Sequence, residues 1–276
     1  MGRLMIRNMF IYLLIPFLFA GEASSSEKKN SVREEIAQLA VEKGIPNAFI
    51  ISSFESEKIR IHSVIPERFS RPYEKKTWEE YKKIFVKKSR IEKGVQFYNN
   101  QKNDLNKVAD SYGVEPFLIL SILGVESNYG SHHKQFTVFN SLYTQIAVMP
   151  KRARWAKKEM VEFLAYCYKD SIPPHSVYGS YAGAFGYGQF IPSSFNNYAV
   201  DFDKDGIRRA YEWLDVMASI ANYLVKNGYP ANDYSNSEKV YKAVYAYNHS
   251  DNYVKAVLAL RDELQKKVES EINDQF

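Results

Sequence analysis

The segment Phe117-Leu-Ile-Leu-Ser-Ile-Leu-Gly-Val-Glu126-Ser-Asn-Tyr-Gly130 decides how this chain is expected to fold. Its first nine residues are apolar nearly all round, which is the pattern of a helix buried at the centre of a protein. Pro116 precedes them, at a position where proline fits the first turn of a helix. Glu126 then places a carboxyl group at the end of this helix. The expected centre of the fold is therefore also the place where chemistry is expected.

A carboxylate in apolar surroundings is costly unless it is neutralised or paired. Loss of solvation raises the pKa of such a group, so a proton stays available near neutral pH. A general acid that protonates a leaving oxygen needs this property. The competing interpretation is that Glu126 simply reaches solvent, because helix ends are usually wet. The residues alone leave both interpretations open.

Helical patterns continue on both sides of this segment. Thr77-x-x-Glu80 and Ser89-x-x-Glu92 have the spacing of capping boxes that open helices. Gly113 is expected to end the second of these helices. Further helices are expected over residues 32–43, 151–169, 213–227, 238–249 and 253–268. The predicted fold class is mainly α.

Composition limits the classes of function. The chain has 276 residues, 45% of them apolar, which is enough for one large or two small domains with a real core. A net charge of +5 is low for a dedicated nucleic-acid-binding protein, so no nucleic-acid partner is expected. A single cysteine, Cys167, excludes an internal disulfide framework and a cysteine-based zinc site.

The first 23 residues have the pattern of a secretory signal peptide. Arg3 and Arg7 precede an apolar run over residues 9–20, and small residues follow it. We expect cleavage rather than an uncleaved anchor helix, because the run is short for a membrane span. No cysteine follows the run, so a lipoprotein anchor is not expected. The protein is therefore predicted to be exported to the periplasm or cell envelope, without a stable membrane anchor.

The remaining chain is divided by its patterns into three parts. Residues 24–32 are polar and are predicted to form a disordered leader. Residues 33–96 are predicted to be an N-terminal helical region, although no element is assigned within 47–72. Residues 97–276 are predicted to form the core, with 151–175 packing against the N-terminal region.

Residues 178–194 are rich in glycine and aromatic side chains. The glycines allow the backbone to approach a ligand closely. Phe185 and Tyr187 offer flat faces for sugar rings, while Ser180 and Gln189 offer hydrogen bonds. Polar groups among apolar walls are typical of a ligand cleft. The alternative is a glycine-rich turn whose aromatic residues pack in the core.

Residues 201–212 have the spacing D-x-D-x-D-G-x5-E of an EF-hand calcium loop. The expected ligands are four carboxylates and one backbone carbonyl: Asp201, Asp203, Asp205, Glu212 and the carbonyl of Ile207. The alternative is a solvated acidic turn. Arg208 stands where paired EF-hands place an apolar residue, and the motif occurs once. A structural calcium ion, rather than a calcium sensor, is therefore predicted.

Four segments together resemble the lytic murein transglycosylase B family, whose members cleave bacterial peptidoglycan. They are residues 124–130, 179–195, 201–206 and 247–257, and the resemblance extends from about Arg71 through Leu260. It implies a lysozyme-like helical core with an added N-terminal helical region and an EF-hand-like loop. The family often carries a small β domain before Tyr247, for which this chain has no room.

The resemblance also implies roles for single residues. Glu126 matches the catalytic acid/base of the family, and Tyr247 would hold it. The residues implied or expected to contact substrate are Ser180, Gln189, Tyr247, Asn248, Tyr187, Phe185 and Arg152. Lys151 stands where the family has the first arginine of a basic pair, which puts bidentate contact by that residue in doubt.

Most glycosidases use two carboxylates, but Glu159 and Glu162 are expected to be solvated, which leaves Glu126 alone. The resemblance implies that Glu126 protonates the oxygen between N-acetylmuramic acid and N-acetylglucosamine in peptidoglycan glycan strands. It then takes a proton from the muramoyl 6-hydroxyl, which closes onto C1 to form a 1,6-anhydro end without a cofactor. Intramolecular attack benefits from entropy already lost on binding. The alternatives are a lysozyme-type muramidase that uses water and a non-catalytic peptidoglycan-binding scaffold.

Overall fold

The computed structural model describes residues 25–71, 76–132 and 134–273. Its helices are α1 (Ser25–Ala40), α2 (Asn47–Glu55), α3 (Val64–Ser70), α4 (Trp78–Phe85), α5 (Lys88–Tyr112), α6 (Pro116–Ser127), α7 (Val138–Val148), α8 (Pro150–Lys169), α9 (Pro192–Tyr198), α10 (Trp213–Lys226), α11 (Ser237–Tyr247) and α12 (Asp251–Asn273). Two short strands, β1 (Phe136–Thr137) and β2 (Tyr178–Gly179), pair antiparallel with Phe136 opposite Gly179. The prediction of a mainly α fold is confirmed.

Helix α6 lies at the centre, as its composition predicts. All of its residues from 118 to 125 are buried, and α5, α10 and α12 pack around it. Pro116 occupies the first helical position, and Asn128 ends the helix in a left-handed conformation with φ of 49°. A helix without a polar face is stable only where every side is covered, which explains its position.

The capping predictions have mixed outcomes. The Thr77 side chain accepts a hydrogen bond from the backbone N–H of Glu80, and the Glu80 carboxylate accepts one from the N–H of Thr77, so this capping box is confirmed. The prediction for Ser89 is wrong, because α5 begins at Lys88 and Ser89 lies inside it. Gly113 ends α5 with a φ of 62°, as predicted.

The disordered leader predicted for residues 24–32 is wrong over residues 25–32, which lie in a helix, while residue 24 is outside the described residues. Helix α1 begins at Ser25, and Val32, Ile36 and Ala40 form a buried stripe along it. Burial of this stripe stabilises the helix predicted over residues 32–43 together with the polar turns that precede it. The predicted signal peptide, residues 1–23, lies outside the described residues.

The N-terminal helices pack directly on the rest of the chain. Helix α1 lies against α7 and α8, and α3 lies against α7. Lys157 of α8 forms an ion pair with Glu35 of α1, and Lys43 pairs with Glu162 at 2.7 Å. The predicted boundary between residues 96 and 97 falls inside the continuous helix α5, which packs on α6, α10 and α12.

No single helix among the described residues is long and apolar enough to cross a membrane. Helices α5 and α6 taken together have the length and composition of a span, but the pair is bent by 115°.

Candidate active site

Glu126 lies in the last turn of α6 and is half-buried. The hydroxyl of Tyr253, in the first turn of α12, donates a hydrogen bond of 2.7 Å to its Oε1 atom. Tyr253 is 1% exposed, so this donor is locked in place by packing. The carboxyl group is therefore held by a buried hydrogen-bond donor and is not a freely solvated group at the end of a helix.

The resemblance assigned the role of holding Glu126 to Tyr247, but the structure gives this hydrogen bond to Tyr253. The Tyr247 hydroxyl instead donates to the backbone carbonyl of Gly188 at 2.6 Å. The two tyrosine rings lie parallel, with centroids 6.4 Å apart. Burial, and next the charge of Glu126, raise the pKa of both tyrosines well above the usual value, so both hydroxyls stay protonated.

The turn that follows α6 is held by a buried cation. Asn128, Tyr129 and Gly130 all have positive φ. Arg90 of α5 is 7% exposed, and its Nε atom donates to the Asn128 side-chain oxygen at 3.2 Å. Its Nη1 atom donates to the carbonyl of Ile84 at 2.9 Å. Burial lowers the pKa of Arg90, yet these bonds let it fix the turn. No pattern in the sequence indicates this role for Arg90.

The glycine-rich segment 178–194 lies beside this turn. A Cβ atom at Gly130 would be 2.8 Å from the Trp213 ring and 3.1 Å from the Tyr187 ring, so only glycine fits. Tyr187 is partly exposed and stacks on Trp213, with ring centroids 4.0 Å apart. The fold therefore brings Tyr187 next to the tip of α6.

Phe185 does not fit its expected role as a sugar-stacking residue. It is fully buried and packs between the rings of Tyr166 and Phe195. Hence the alternative interpretation, an aromatic residue that packs a glycine-rich turn in the core, applies to this position. Gly186, with φ of 75°, comes so close to Ala210 that a Cβ atom would lie 2.5 Å from its carbonyl oxygen.

Ser180 and Gln189 are partly exposed, and both side chains bond within the loop. The Ser180 hydroxyl accepts hydrogen bonds from the N–H groups of Ala182 at 3.3 Å and Ala184 at 3.2 Å. The Gln189 side-chain amide donates to the Gly186 carbonyl at 2.7 Å. These side chains therefore shape the loop in addition to any contact with substrate.

A cavity of about 230 Å³ brings Gln189 and Tyr247 together. Its lining residues are Gln189, Phe190, Ile191, Ser194, Tyr223, Ala246, Tyr247 and His249. Asn248 ends α11 between two of them, and its carbonyl accepts a hydrogen bond from the Ser250 N–H at 2.7 Å. Partly exposed aromatic faces next to amide groups suit a sugar.

Arg152 lies in the first turn of α8 and is already engaged. Its Nε atom donates to the Gln145 side-chain oxygen at 2.8 Å. The guanidinium also lies over the rings of Phe69, at 4.2 Å, and Trp155, at 4.4 Å. Burial lowers the pKa of Arg152. Its position is set by these contacts.

The acidic loop gathers a different set of carboxylates from the predicted one. Carboxylate oxygens of Asp201, Asp203 and Asp215 lie within 4.8 Å of one another. Asp215 is 3% exposed and accepts hydrogen bonds from the N–H groups of Phe202 and Arg209 at 2.9 and 2.8 Å. The missed signal was an aspartate within an otherwise apolar stretch of α10.

Two predicted ligands are instead paired with Arg209. Asp205 contacts its Nη2 atom at 2.5 Å, and Glu212, whose side chain is 60% exposed, contacts its Nε atom at 3.4 Å. Hydrogen bonding to Arg209 lowers the pKa of Asp205. Ile207 is exposed, and its N–H donates to Asp205 Oδ1 at 2.9 Å. Arg208, the departure noted in the motif, pairs with Asp170 at 2.7 Å.

Glu159, expected to be solvated, is 5% exposed. Its two oxygens accept hydrogen bonds from the N–H of Ser193 at 2.9 Å and the Ser193 hydroxyl at 2.8 Å. It therefore helps to cap α9, which begins at Pro192. Burial raises the pKa of Glu159, and the bonds from Ser193 oppose this shift.

Comparison with known proteins identifies a family for this chain. Residues 28–238 match the family described as the transglycosylase SLT domain. The chain belongs to this family. It is 36% identical over 156 residues to the membrane-bound lytic murein transglycosylase B of Escherichia coli strain K12. That match covers 56% of this chain and 43% of the relative, so it spans less than half of the relative's length.

Solved structures share this fold over 86% of the chain. The soluble lytic transglycosylase SltB1 of Pseudomonas aeruginosa superposes with a TM-score of 0.78 and 27% identity, over 86% of this chain and 99% of that chain. The E. coli lytic transglycosylase Slt35 superposes with a TM-score of 0.77 and 24% identity, over 86% and 93%. These likenesses confirm the predicted lysozyme-like transglycosylase fold.

Proposed function

We propose that this protein is a peptidoglycan lytic transglycosylase in which Glu126 is the single general acid and base. The observation that carries the proposal is the half-buried Glu126 carboxyl group at the tip of α6, bonded by the buried Tyr253. Membership of the transglycosylase SLT domain family supports the same activity. The glycine-rich segment beside the tip supplies the wall of a glycan-binding groove.

The protonated Glu126 carboxyl group gives its proton to the oxygen that links N-acetylmuramic acid to N-acetylglucosamine, and the C1–O bond breaks. The Glu126 carboxylate then accepts the proton of the muramoyl 6-hydroxyl. The 6-oxygen forms a bond to C1 of the same N-acetylmuramic acid. Protons balance, water is not consumed, and the product is a 1,6-anhydromuramoyl end. The Tyr253 hydroxyl orients the carboxyl group through both steps. Gln189, Tyr187, Tyr247 and Asn248 would position the sugars. Gln189 and Tyr247 line one cavity, and Tyr187 stacks on Trp213 beside the turn that follows α6, which supports this role.

The acidic loop would hold a structural calcium ion rather than take part in the chemistry. Clustered carboxylate oxygens are the ligands that Ca²⁺ prefers, and Asp201, Asp203 and Asp215 supply them. Asp205 would join them by exchanging its contact with Arg209 for the ion. The Slt35 structure is a complex with calcium, although the present proposal depends on the carboxylates of this chain.

The protein is expected to work in the cell envelope or periplasm on peptidoglycan glycan strands. Residues 1–23 have the pattern of an export signal. Peptidoglycan lies outside the cytoplasm, so a murein-cleaving enzyme has to be exported to meet its substrate.

The substitution Glu126→Gln tests the catalytic role. It preserves the shape of the side chain and removes the transferable proton, so purified sacculi should lose turbidity about 100-fold to 10,000-fold more slowly than with the parent. The melting temperature should stay close to that of the parent. A matched control is Glu263→Gln on the exposed face of α12, which should keep full activity.

Cleavage by Glu126→Gln at a near-parental rate would overturn the assignment of Glu126. A parent protein that binds sacculi but does not clear them would instead favour a non-catalytic scaffold.

A further inference from the structure

Two acidic residues of α8 reach across to α9, and none of the chemical steps above uses them. Glu159, 5% exposed, accepts hydrogen bonds from the N–H of Ser193 at 2.9 Å and from its hydroxyl at 2.8 Å. The Asn196 side-chain amide donates to the Glu162 carbonyl at 2.8 Å and to its carboxylate at 2.9 Å. Both pairs are separated by three residues along their helices, so one face of α8 holds one face of α9.

Helix α9 depends on this contact because it cannot cap its own start. It has seven residues from Pro192 to Tyr198, and the residue before it is Ile191, whose side chain forms no capping hydrogen bond. The first N–H groups of a helix have no acceptor within the helix. Glu159 supplies an acceptor from the neighbouring helix, at the positive end of the helix dipole. The start of α9 is therefore fixed by α8 rather than by its own sequence.

The start of α9 is also part of the wall of the cavity of about 230 Å³. Ile191 and Ser194 line this cavity on either side of the residue that Glu159 holds, and Gln189 lines it two residues before Ile191. Tyr247, at the end of α11, lines it as well. The contact that fixes Ser193 therefore also fixes the wall formed by residues 189–194.

The other end of α9 is held independently by α10. The Asn222 side-chain amide donates to the Tyr198 carbonyl at 2.8 Å, and the N–H of Val200 donates to the Ser219 hydroxyl at 3.1 Å. Loss of the Glu159 contact should therefore loosen the start of the helix without releasing the whole element. The hydrogen bond from Tyr253 to Glu126 joins α12 to α6 and involves neither α8 nor α9.

We propose that Glu159 is a positioning residue for glycan binding, which acts by holding Ser193 and thereby the cavity wall formed by residues 189–194. Glu159 does not contact the sugar itself. This inference rests on the proposed function and adds to it a residue on which KM depends more than kcat.

The test measures kcat and KM on soluble glycan strands. Glu159→Met keeps the length of the side chain but accepts neither hydrogen bond, so KM should rise about tenfold while kcat stays within about twofold of the parental value. Glu159→Gln should keep a near-parental KM, because its oxygen can accept from the Ser193 N–H while its amide donates to the Ser193 hydroxyl. Ser193→Ala removes one of the two bonds and should raise KM about threefold.

Val268→Ala is the matched control for lost stability. Val268 is 4% exposed near the end of α12, so this variant should lower the melting temperature but keep the parental KM. If Glu159→Met lowers the melting temperature and keeps the parental KM, Glu159 is only a structural cap and the proposal is wrong. A KM in Glu159→Gln as high as that in Glu159→Met would overturn the role of the two hydrogen bonds. Ser193→Ala is a smaller change and keeps the test decisive if Glu159→Met folds poorly.

Direct binding separates this inference from the proposed function. In Glu126→Gln, which should bind strands without cleaving them, the added change Glu159→Met should raise the dissociation constant for the same strands about tenfold. An unchanged dissociation constant would overturn the positioning role even if the parent is active. A parent that binds the strands without cleaving them would refute the proposed function, and weaker binding by Glu159→Met would then still support the positioning role.

Discussion

The tip of α6 and the acidic loop both contain carboxyl groups of proposed function, but the number, burial and partners of these groups differ between the two regions. At the tip, one carboxyl group is half-buried and bonded by a neutral tyrosine. In the loop, several carboxylates lie close together, and Asp205 and Glu212 contact Arg209. A half-buried carboxyl group that accepts a hydrogen bond from a neutral hydroxyl is suited to proton transfer. A cluster of carboxylates is suited to a cation.

The largest expected effect that separates the two regions is calcium-dependent stability. Calcium at about 100 times its dissociation constant should stabilise the parent by about 2.7 kcal/mol. The melting temperature should therefore rise by about 5 °C relative to EDTA. Asp215→Asn should remove this shift, while Glu212→Gln should retain most of it. Glu126→Gln should leave the shift unchanged, since its carboxyl group serves the other region.

Loss of the calcium shift in Glu212→Gln, with retention in Asp215→Asn, would restore the ligand set expected from the motif. Absence of any shift in the parent would contradict the calcium proposal.

The next effect concerns packing around the two regions. A Cβ atom at Gly94 would lie 2.4 Å from both Leu264 and the hydroxyl of Tyr129, whereas one at Gly206 in the acidic loop would meet nothing within 4 Å. Gly94→Ala should therefore lower the free energy of unfolding by about 2 kcal/mol through overpacking. Gly206→Ala should lower it by about 1 kcal/mol, because its φ of 94° strains alanine. Urea unfolding measures both, and equal losses would contradict the difference in packing.

A smaller effect separates the two tyrosines near Glu126. Tyr253→Phe removes the hydrogen bond to the carboxyl group and should lower kcat about tenfold, or about 1.4 kcal/mol in activation free energy. Tyr247→Phe removes a bond to the Gly188 carbonyl and should act mainly on KM. Steady-state kinetics on soluble glycan strands measure both variants. A larger loss of kcat in Tyr247→Phe would assign the positioning role to Tyr247 instead.

The smallest effect is a pH dependence outside both regions. The His175 ring bonds to the Ser53 carbonyl at 2.9 Å, and burial, with the charge of Lys58 as a smaller cause, lowers its pKa. The unfolded chain therefore binds the proton more tightly, and stability falls as pH drops below about 6.5. Urea unfolding measures the decrease in the free energy of unfolding between pH 7.5 and pH 5.5, and His175→Phe should make this decrease smaller. The exposed control His132→Gln should keep it; equal falls in all three proteins would contradict the role of His175.

The sequence predicted those parts of the fold that local patterns encode. The apolar residues of α6, the Thr77 capping box and Gly113 all follow from spacing or from backbone preference. Only the first turns of α1, residues 25–31, were missed; they are polar and precede the helix predicted over residues 32–43. Their helical structure continues from the part that buries Val32 and Ile36 against other helices, so local composition does not indicate it.

The same limit applies to the site: residues marked by a local pattern were predicted, and residues that reach the site through the fold were not. Glu126 is recognisable because a charged residue ends an apolar helix. Tyr253 is 127 residues away in sequence, and no local pattern links the two. Asp215 carried the same kind of signal as Glu126, an acidic residue among apolar ones, but the regular spacing of the EF-hand motif drew attention to Glu212 instead.

The central claim is that the carboxyl group of Glu126 acts twice on the glycan and water does not act at all. Digestion of sacculi in water enriched in oxygen-18, followed by mass analysis of the released fragments, tests it most directly. We expect fragments that are one water lighter than hydrolysis products, carry no oxygen-18 and have no reducing end. Fragments with a reducing end that contains oxygen-18 would contradict the claim and identify a muramidase.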